Sequence, residues 1–212
     1  RIRANNQDAM YADSALFVVA DGMGGHQGGE VAANLAVRTV AKADRESLAQ
    51  LRDAIIEANR IVHETAIEQP ELHGMGTTLT ALAVSREAES PQFVILNVGD
   101  SRIYRHRDGQ LEQLTEDHSY VAELMRRGEL DEDAAAVHPY RNMLTRAIGV
   151  HADVEIDEWL FDPVAGDRFM LCSDGVTNEL DDSEIAEQLA HEQDPSATAK
   201  ALVGLANDRG GR

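Results

Sequence analysis

Cysteine occurs once in the 212 residues, at Cys172, so no internal disulfide can form. Its neighbours Phe169, Met170 and Leu171 mark a buried strand rather than a reactive thiol. Long apolar runs are missing as well: none approaches the roughly 20 residues that a spanning helix needs. The amino terminus lacks the charged-then-apolar layout of a signal peptide. A cytoplasmic protein without membrane insertion is the expectation. Basic residues are scarce, with 19 Lys and Arg against 38 Asp and Glu and a formal net charge of -19. Such a surface repels a phosphate backbone, which argues against a nucleic-acid partner. Wherever carboxylates converge in this chain, protonation or cations must offset their repulsion. Linker-like stretches and fixed-period repeats are absent too. A composition of 43% hydrophobic and 27% charged residues then fits one soluble domain over 1–212.

The hydrophobic pattern gives the order of elements. Leu16 to Ala20 is an apolar strand running into Asp21 and a glycine cluster. Residues 29–43 and Leu51 to Ile67 repeat apolar positions at helical spacing and predict two helices. Thr77 to Val84 and Phe93 to Val98 are rich in β-branched residues, and Arg102 to Leu114 predicts two strands around an Asp108-Gly109 hairpin turn. From about 117 to 149 a polar helical stretch with a His138-Pro139 break predicts an irregular insert over the sheet edge. Val154 to Phe161 and Arg168 to Cys172 return to strand, and Ser183 to His191 and Ala197 to Ala206 close the chain as helices. Runs of strands interrupted by helix pairs point to an α+β fold with antiparallel sheets.

The chemistry concentrates where strands end. Asp21-Gly22-Met23-Gly24-Gly25-His26 follows one apolar strand, Ser173-Asp174-Gly175 follows another, and Gly99-Asp100-Ser101-Arg102 follows Val94 to Val98. A strand end fixes a carboxylate, while glycine lets the backbone turn sharply and bring carbonyl oxygens near a ligand. One Asp-Gly pair, as at Asp108-Gly109, is a turn; three strand-end aspartates beside glycine suggest carboxylates gathered at one rim. Hard cations such as Mg2+ and Mn2+ select oxygen donors, and two of them can activate a water for attack on a phosphoryl group.

These residues carry a resemblance. The order of Arg3-Ala4-Asn5-Asn6-Gln7-Asp8, Asp21 to His26, Gly74-Met75-Gly76-Thr77-Thr78, Gly99 to Arg102 and Ser173-Asp174-Gly175 resembles the bacterial branch of the type 2C metal-dependent protein phosphatases, across nearly the whole chain. The resemblance implies a four-layer αββα sandwich of two antiparallel sheets flanked by helix pairs, acting on phosphoserine and phosphothreonine in proteins. Serine/threonine kinases or their targets would be the partners, and a monomer is expected. Two core Mg2+ or Mn2+ ions are implied, with Asp21 bridging them, the Gly22 carbonyl on one and Asp174 on the other. Asp8 would order a water, and Arg3 would bind the substrate phosphate with its planar fork. Asp117, in Thr115-Glu116-Asp117-His118-Ser119, is implied as ligand of a third ion, and the insert from there as a flap. As residues alone, Asp117 also suits the first turn of a following helix, and His26 suits either a phosphate contact or a helix start.

The sequence departs from that pattern in places. Position 7 is Gln where many members have Glu, and position 23 is Met where eukaryotic members have histidine. The family's closing Asp-Asn pair and last strand would follow Gly210-Gly211, where the sequence stops, and Arg1 begins inside the first motif. The expectation is a catalytic domain trimmed of its first and last strands. A weakly active pseudophosphatase that binds phosphoproteins is the alternative, and a metal hydrolase of small phosphate esters is a third reading.

Overall fold

The computed structural model describes residues 6–24, 27–44, 47–87, 89–191 and 194–211. A six-stranded antiparallel sheet runs in the order β1 (Asp8–Ala12), β2 (Leu16–Met23), β4 (Leu79–Ser85), β5 (Gln92–Val98) and β8 (Asp157–Phe161), with β3 (Gly76–Thr77) on the end of β2. A three-stranded sheet orders β7 (Gln110–Gln113), β6 (Arg102–Arg107) and β9 (Arg168–Cys172). The helices are α1 (Gly28–Lys42), α2 (Leu48–Glu68), α3 (Tyr120–Arg126), α4 (Glu132–Ala136), α5 (Asp174–Thr177), α6 (Asp182–His191) and α7 (Pro195–Asp208).

Three apolar clusters define the layers. Leu16, Val18 and Ala20 alternate inward along β2 and meet Ala32, Ala33 and Ala36 of α1 and Ile55 and Ala58 of α2. Small side chains on α1 let that helix lie close to the sheet. Leu82, Ile95 and Ile103, with Trp159 and Phe169 against them, fill the space between the sheets. Tyr104, Met170 and Cys172 bury the outer face of the smaller sheet under Ile185 and Leu189 of α6 and Leu202 of α7. The result is the expected helix, sheet, sheet, helix order.

Local chemistry fixes the ends of these elements. Ser47 and Gln50 form a reciprocal capping box on α2, and Asp194 caps α7 ahead of Pro195. The Asp108-Gly109 turn closes the β6–β7 hairpin as expected, with Asp108 at φ 50°. Cys172 is buried in β9, and burial pushes its thiol up to about 12, which suits a packing residue.

The structure differs from the sequence expectations at several points. A strand, β1, precedes Leu16; its residues Asp8, Met10 and Ala12 are exposed, so its apolar signal is weak. Strand β2 does not stop at Ala20 but runs through Asp21 and Gly22, because β1 and β3 pair with its end. Asp117 is not in the first turn of a helix: α3 starts at Tyr120 and is capped by Ser119, whose side chain accepts from the Ala122 amide.

Candidate metal centre

Antiparallel pairing of β1 with β2 sets Asp8 directly opposite Asp21. The backbone of Asp21 is held on its other side by Thr77 and Thr78. Its amide donates to the Thr78 hydroxyl at 2.8 Å, and its carbonyl accepts from the Thr78 amide and the Thr77 hydroxyl, both at 2.9 Å. The Thr78 hydroxyl in turn meets Ser101 Oγ at 2.7 Å, which couples the Asp21 strand to the turn bearing Asp100. From the second sheet, Ser173 at the end of β9 donates to Asp8 Oδ2 at 3.0 Å, and Asp174 opens the short helix α5. The strand ends of both sheets thus bring Asp8, Asp21, Asp100 and Asp174 to one rim.

Gly22 is fixed by crowding. A Cβ there would lie 2.0 Å from the Gly29 carbonyl oxygen and 2.8 Å from the Gln7 carbonyl oxygen, so only glycine lets α1 start against the strand. The Gly22 amide donates to that Gln7 carbonyl at 3.2 Å.

Electrostatics follow from the convergence. Burial, then the charges of Asp8, Asp174 and Asp100, push the Asp21 carboxyl up to about 8. Burial and the charges of Asp174 and Asp117 push Asp100 up to about 7. Carboxylates brought together in this way are held at neutral pH by protons or by cations. Among the described residues no three Asp, Glu, His or Cys side chains close into a ready-made cage. An open, oxygen-only site completed by waters fits Mg2+ or Mn2+ better than it fits a metal that prefers histidine and thiolate.

Asp117 lies beyond this core and is firmly held. Arg102 Nε reaches Oδ1 at 2.9 Å and Oδ2 at 3.1 Å, Arg102 Nη2 reaches Oδ2 at 2.6 Å, and Gln113 Nε2 donates to Oδ1 at 3.0 Å. Arg102 also donates to the Tyr104 hydroxyl at 3.0 Å. The expected phosphate ligands Arg3 and His26 lie outside the described residues.

Asp100 is one of the three strand-end aspartates expected to gather at one rim, and its closeness to Asp174 comes from how the two sheets stack. Two further participants, His118 and Asp157, are not singled out by the sequence. His118, next to Asp117, is 2% exposed and contacts Asp157 Oδ2 at 3.1 Å through Nε2. Burial holds His118 below the usual histidine range, against the opposing pull of Asp157. Arg146 donates to Asp157 Oδ1 at 2.6 Å, and both partners hold that carboxyl below its usual value despite its burial. No sequence signal marks Asp157, which meets His118 only through the pairing of β8 with β5.

Known proteins resemble this chain along nearly its whole length. The family profile described as Protein phosphatase 2C matches residues 2–204. The serine/threonine phosphatase stp of Listeria monocytogenes is 40% identical over 225 residues, covering all of this chain and 88% of that protein. The phosphatase PstP of Mycobacterium tuberculosis is 37% identical, over 99% of this chain and 41% of its own length. Its crystal structure superposes with a TM-score of 0.91 at 38% identity, covering all of this chain and 89% of that one. A structure of the PstP catalytic domain in complex with 2 manganese ions superposes with a TM-score of 0.88 at 35% identity, covering all of this chain and 89% of that one. Magnesium or manganese is accordingly the cofactor type, and the chain belongs to the protein phosphatase 2C family of metal-dependent serine/threonine phosphatases.

Proposed function

We propose that this phosphatase hydrolyses phosphoserine and phosphothreonine in protein substrates at two Mg2+ or Mn2+ ions held by Asp21, the Gly22 carbonyl and Asp174. The observation behind this reading is the rim where Asp8, Asp21, Asp100 and Asp174 converge with Asp21 pushed up to about 8. Bound there, the ions would supply an activated water and neutralise charge on the phosphoryl oxygens.

The chain's own groups have separable tasks. Asp21, fixed from three sides by Thr77, Thr78 and the β1 pairing, would offer its carboxylate as a ligand to the ions. Asp8, steadied by Ser173, orients the attacking water. Asp100, partly buried near Asp174 with its carboxyl pushed up to about 7, would favour cation binding on that side by giving up its proton as the cation binds. Asp117 would serve a third ion, and residues 117–149 would act as the flap. Arg3 would bind the phosphoryl oxygens, in line with the family resemblance, and His26, which follows the Asp21 glycines in sequence, would be a second phosphate contact.

Phosphorylated proteins, including serine/threonine kinases or their targets, are the proposed partners, with the chain acting as a monomer in the cytoplasm. Among the described residues no helix is long and apolar enough to cross a membrane. The test is hydrolysis of a chromogenic phosphate ester and of phosphoserine and phosphothreonine peptides, with and without Mn2+. Metal-dependent turnover of the peptides is expected. Bound metal without turnover would favour a phosphoprotein-binding pseudophosphatase, and turnover of small esters alone would overturn the protein-substrate assignment.

A further inference from the structure

His118 and Gly99 clasp each other at two points. The Gly99 amide donates to His118 Nδ1 at 3.1 Å, and the His118 amide donates back to the Gly99 carbonyl at 3.0 Å. Gly99 lies at φ 108°, and a Cβ there would lie 2.6 Å from Thr78 Cγ2, so the turn has a conformation that side chains rarely adopt and must be pinned. The next residue is Asp100, and Ser101 after it meets Thr78 behind Asp21.

The far side of the same ring is equally engaged. Because Nδ1 accepts a hydrogen bond, the ring proton belongs on Nε2, which faces Asp157 Oδ2 at 3.1 Å and has the Arg146 guanidinium beside it at 3.3 Å. Asp157 is anchored in turn by Arg146 at 2.6 Å. The His118 carbonyl accepts from the Thr145 amide at 2.9 Å, and Ser119 bridges to Leu144, so both ends of the segment that leaves and returns to the sheets close around this residue. Asn97 reinforces the arrangement by donating to the carbonyls of Gly99 and Glu116 at 3.3 and 3.2 Å.

We propose that His118 is a positioning residue of the catalytic centre: through Nδ1 it holds the Gly99-Asp100 turn in the conformation that keeps the Asp100 carboxylate beside Asp174, while Nε2 fixes the ring against Asp157. This rests on the metal-centre reading above. The Asp157 arm sets which ring nitrogen is free, and the Gly99 arm transmits that choice to the centre. Groups that orient a metal site from behind typically change metal affinity or activity by about 10- to 100-fold when lost.

The two arms can be removed separately. In His118→Asn, the amide oxygen stands near the place of Nδ1 and can still accept from Gly99. In His118→Gln, the amide reaches toward Asp157 but offers Gly99 no acceptor at the right distance. His118→Ala removes both. Turnover of a chromogenic ester and Mn2+ affinity by calorimetry are measured on each, beside Asp21→Asn. We expect His118→Gln and His118→Ala to lose about 10- to 100-fold in kcat or Mn2+ affinity with KM little changed, and His118→Asn to recover most of that loss. Folded Gln and Ala variants with wild-type kcat and Mn2+ affinity, or an Asn variant no better than Gln, would overturn the proposal. If Asp21→Asn also kept full turnover, the metal-centre reading would fall and this proposal with it. Nitrogen NMR on the unmutated protein is an independent check that needs no variant to fold. An unprotonated, hydrogen-bonded Nδ1 at His118 is expected, and a protonated Nδ1 would sink the idea.

Discussion

Asp8 and Asp21 occupy directly opposed positions on the paired strands β1 and β2, two carboxylates facing each other where like charges destabilise a sheet. The arrangement opposes folding of the metal-free protein and is relieved when a divalent cation binds. Asp21→Asn should therefore separate function from stability. Turnover is expected to fall by at least about 100-fold, as for a lost metal ligand, while the melting temperature in chelator stays level or rises. Activity assays and thermal melts with and without Mn2+ check both halves. Near-wild-type turnover would show that Asp21 is no ligand.

The same group predicts how stability varies with pH. With its carboxyl raised from 3.8 to about 8 in the folded chain, Asp21 holds a proton that the unfolded chain has already released. Its contribution is fully present below about pH 4 and is lost as pH rises through the folded value. His118 works in the opposite direction, because burial lowers its folded value below the ordinary 6.5. The comparison that isolates Asp21 is therefore wild type against Asp21→Asn in chelator. Between pH 6 and pH 8.5 the wild type should lose more melting temperature than the variant, and saturating Mn2+ should remove the difference. Parallel curves in chelator would contradict the assignment.

Much of this site was legible from sequence because it sits at strand ends. Apolar runs ending in Asp21 and Asp174 mark both the elements and the carboxylates, and the β6–β7 hairpin declares itself through Asp108-Gly109. What stayed hidden depends on pairing between distant segments. Strand β1 has too little alternation to stand out, yet its register creates the Asp8–Asp21 opposition. His118 looked like a neighbour of Asp117 until the fold placed it against Gly99 and Asp157, which lie 19 and 39 positions away in the sequence. Asp117 could be named from its motif, but its grip by Arg102 and Gln113 belongs to the register of β6 and β7.

Gly22→Ala tests the close approach of α1 to the sheet. The added Cβ would meet backbone atoms of Gly29 and Gln7 rather than a flexible side-chain tip, so neither neighbour yields without moving a strand or a helix start. A loss of roughly 3 kcal/mol or more is expected, at the upper end of overpacking. Mn2+ affinity should fall with it, because the carbonyl beside Asp21 shifts. A stable variant with unchanged Mn2+ affinity would show that this backbone is not part of the site.

Asp117 has two jobs that a single substitution disturbs together. As a proposed ligand of a third ion, it should affect kcat while the two-metal core stays occupied. As the partner of Arg102, it also neutralises a guanidinium whose side chain is only 29% exposed. Asp117→Ala leaves that cation without its carboxylate, at a cost of roughly 1–3 kcal/mol, less than for a fully buried pair because solvent reaches the arginine. A melting point lower by several degrees is then expected beside a reduced kcat. Asp117→Asn divides the effects: its amide oxygen still accepts from Arg102, so part of the stability returns, but the charge needed by a third cation is gone. Melting curves, kcat and metal content measured on both variants decide the matter. If kcat follows stability and recovers in Asp117→Asn, the residue acts only by holding Arg102; if kcat stays low in both while two ions remain bound, the ligand role stands.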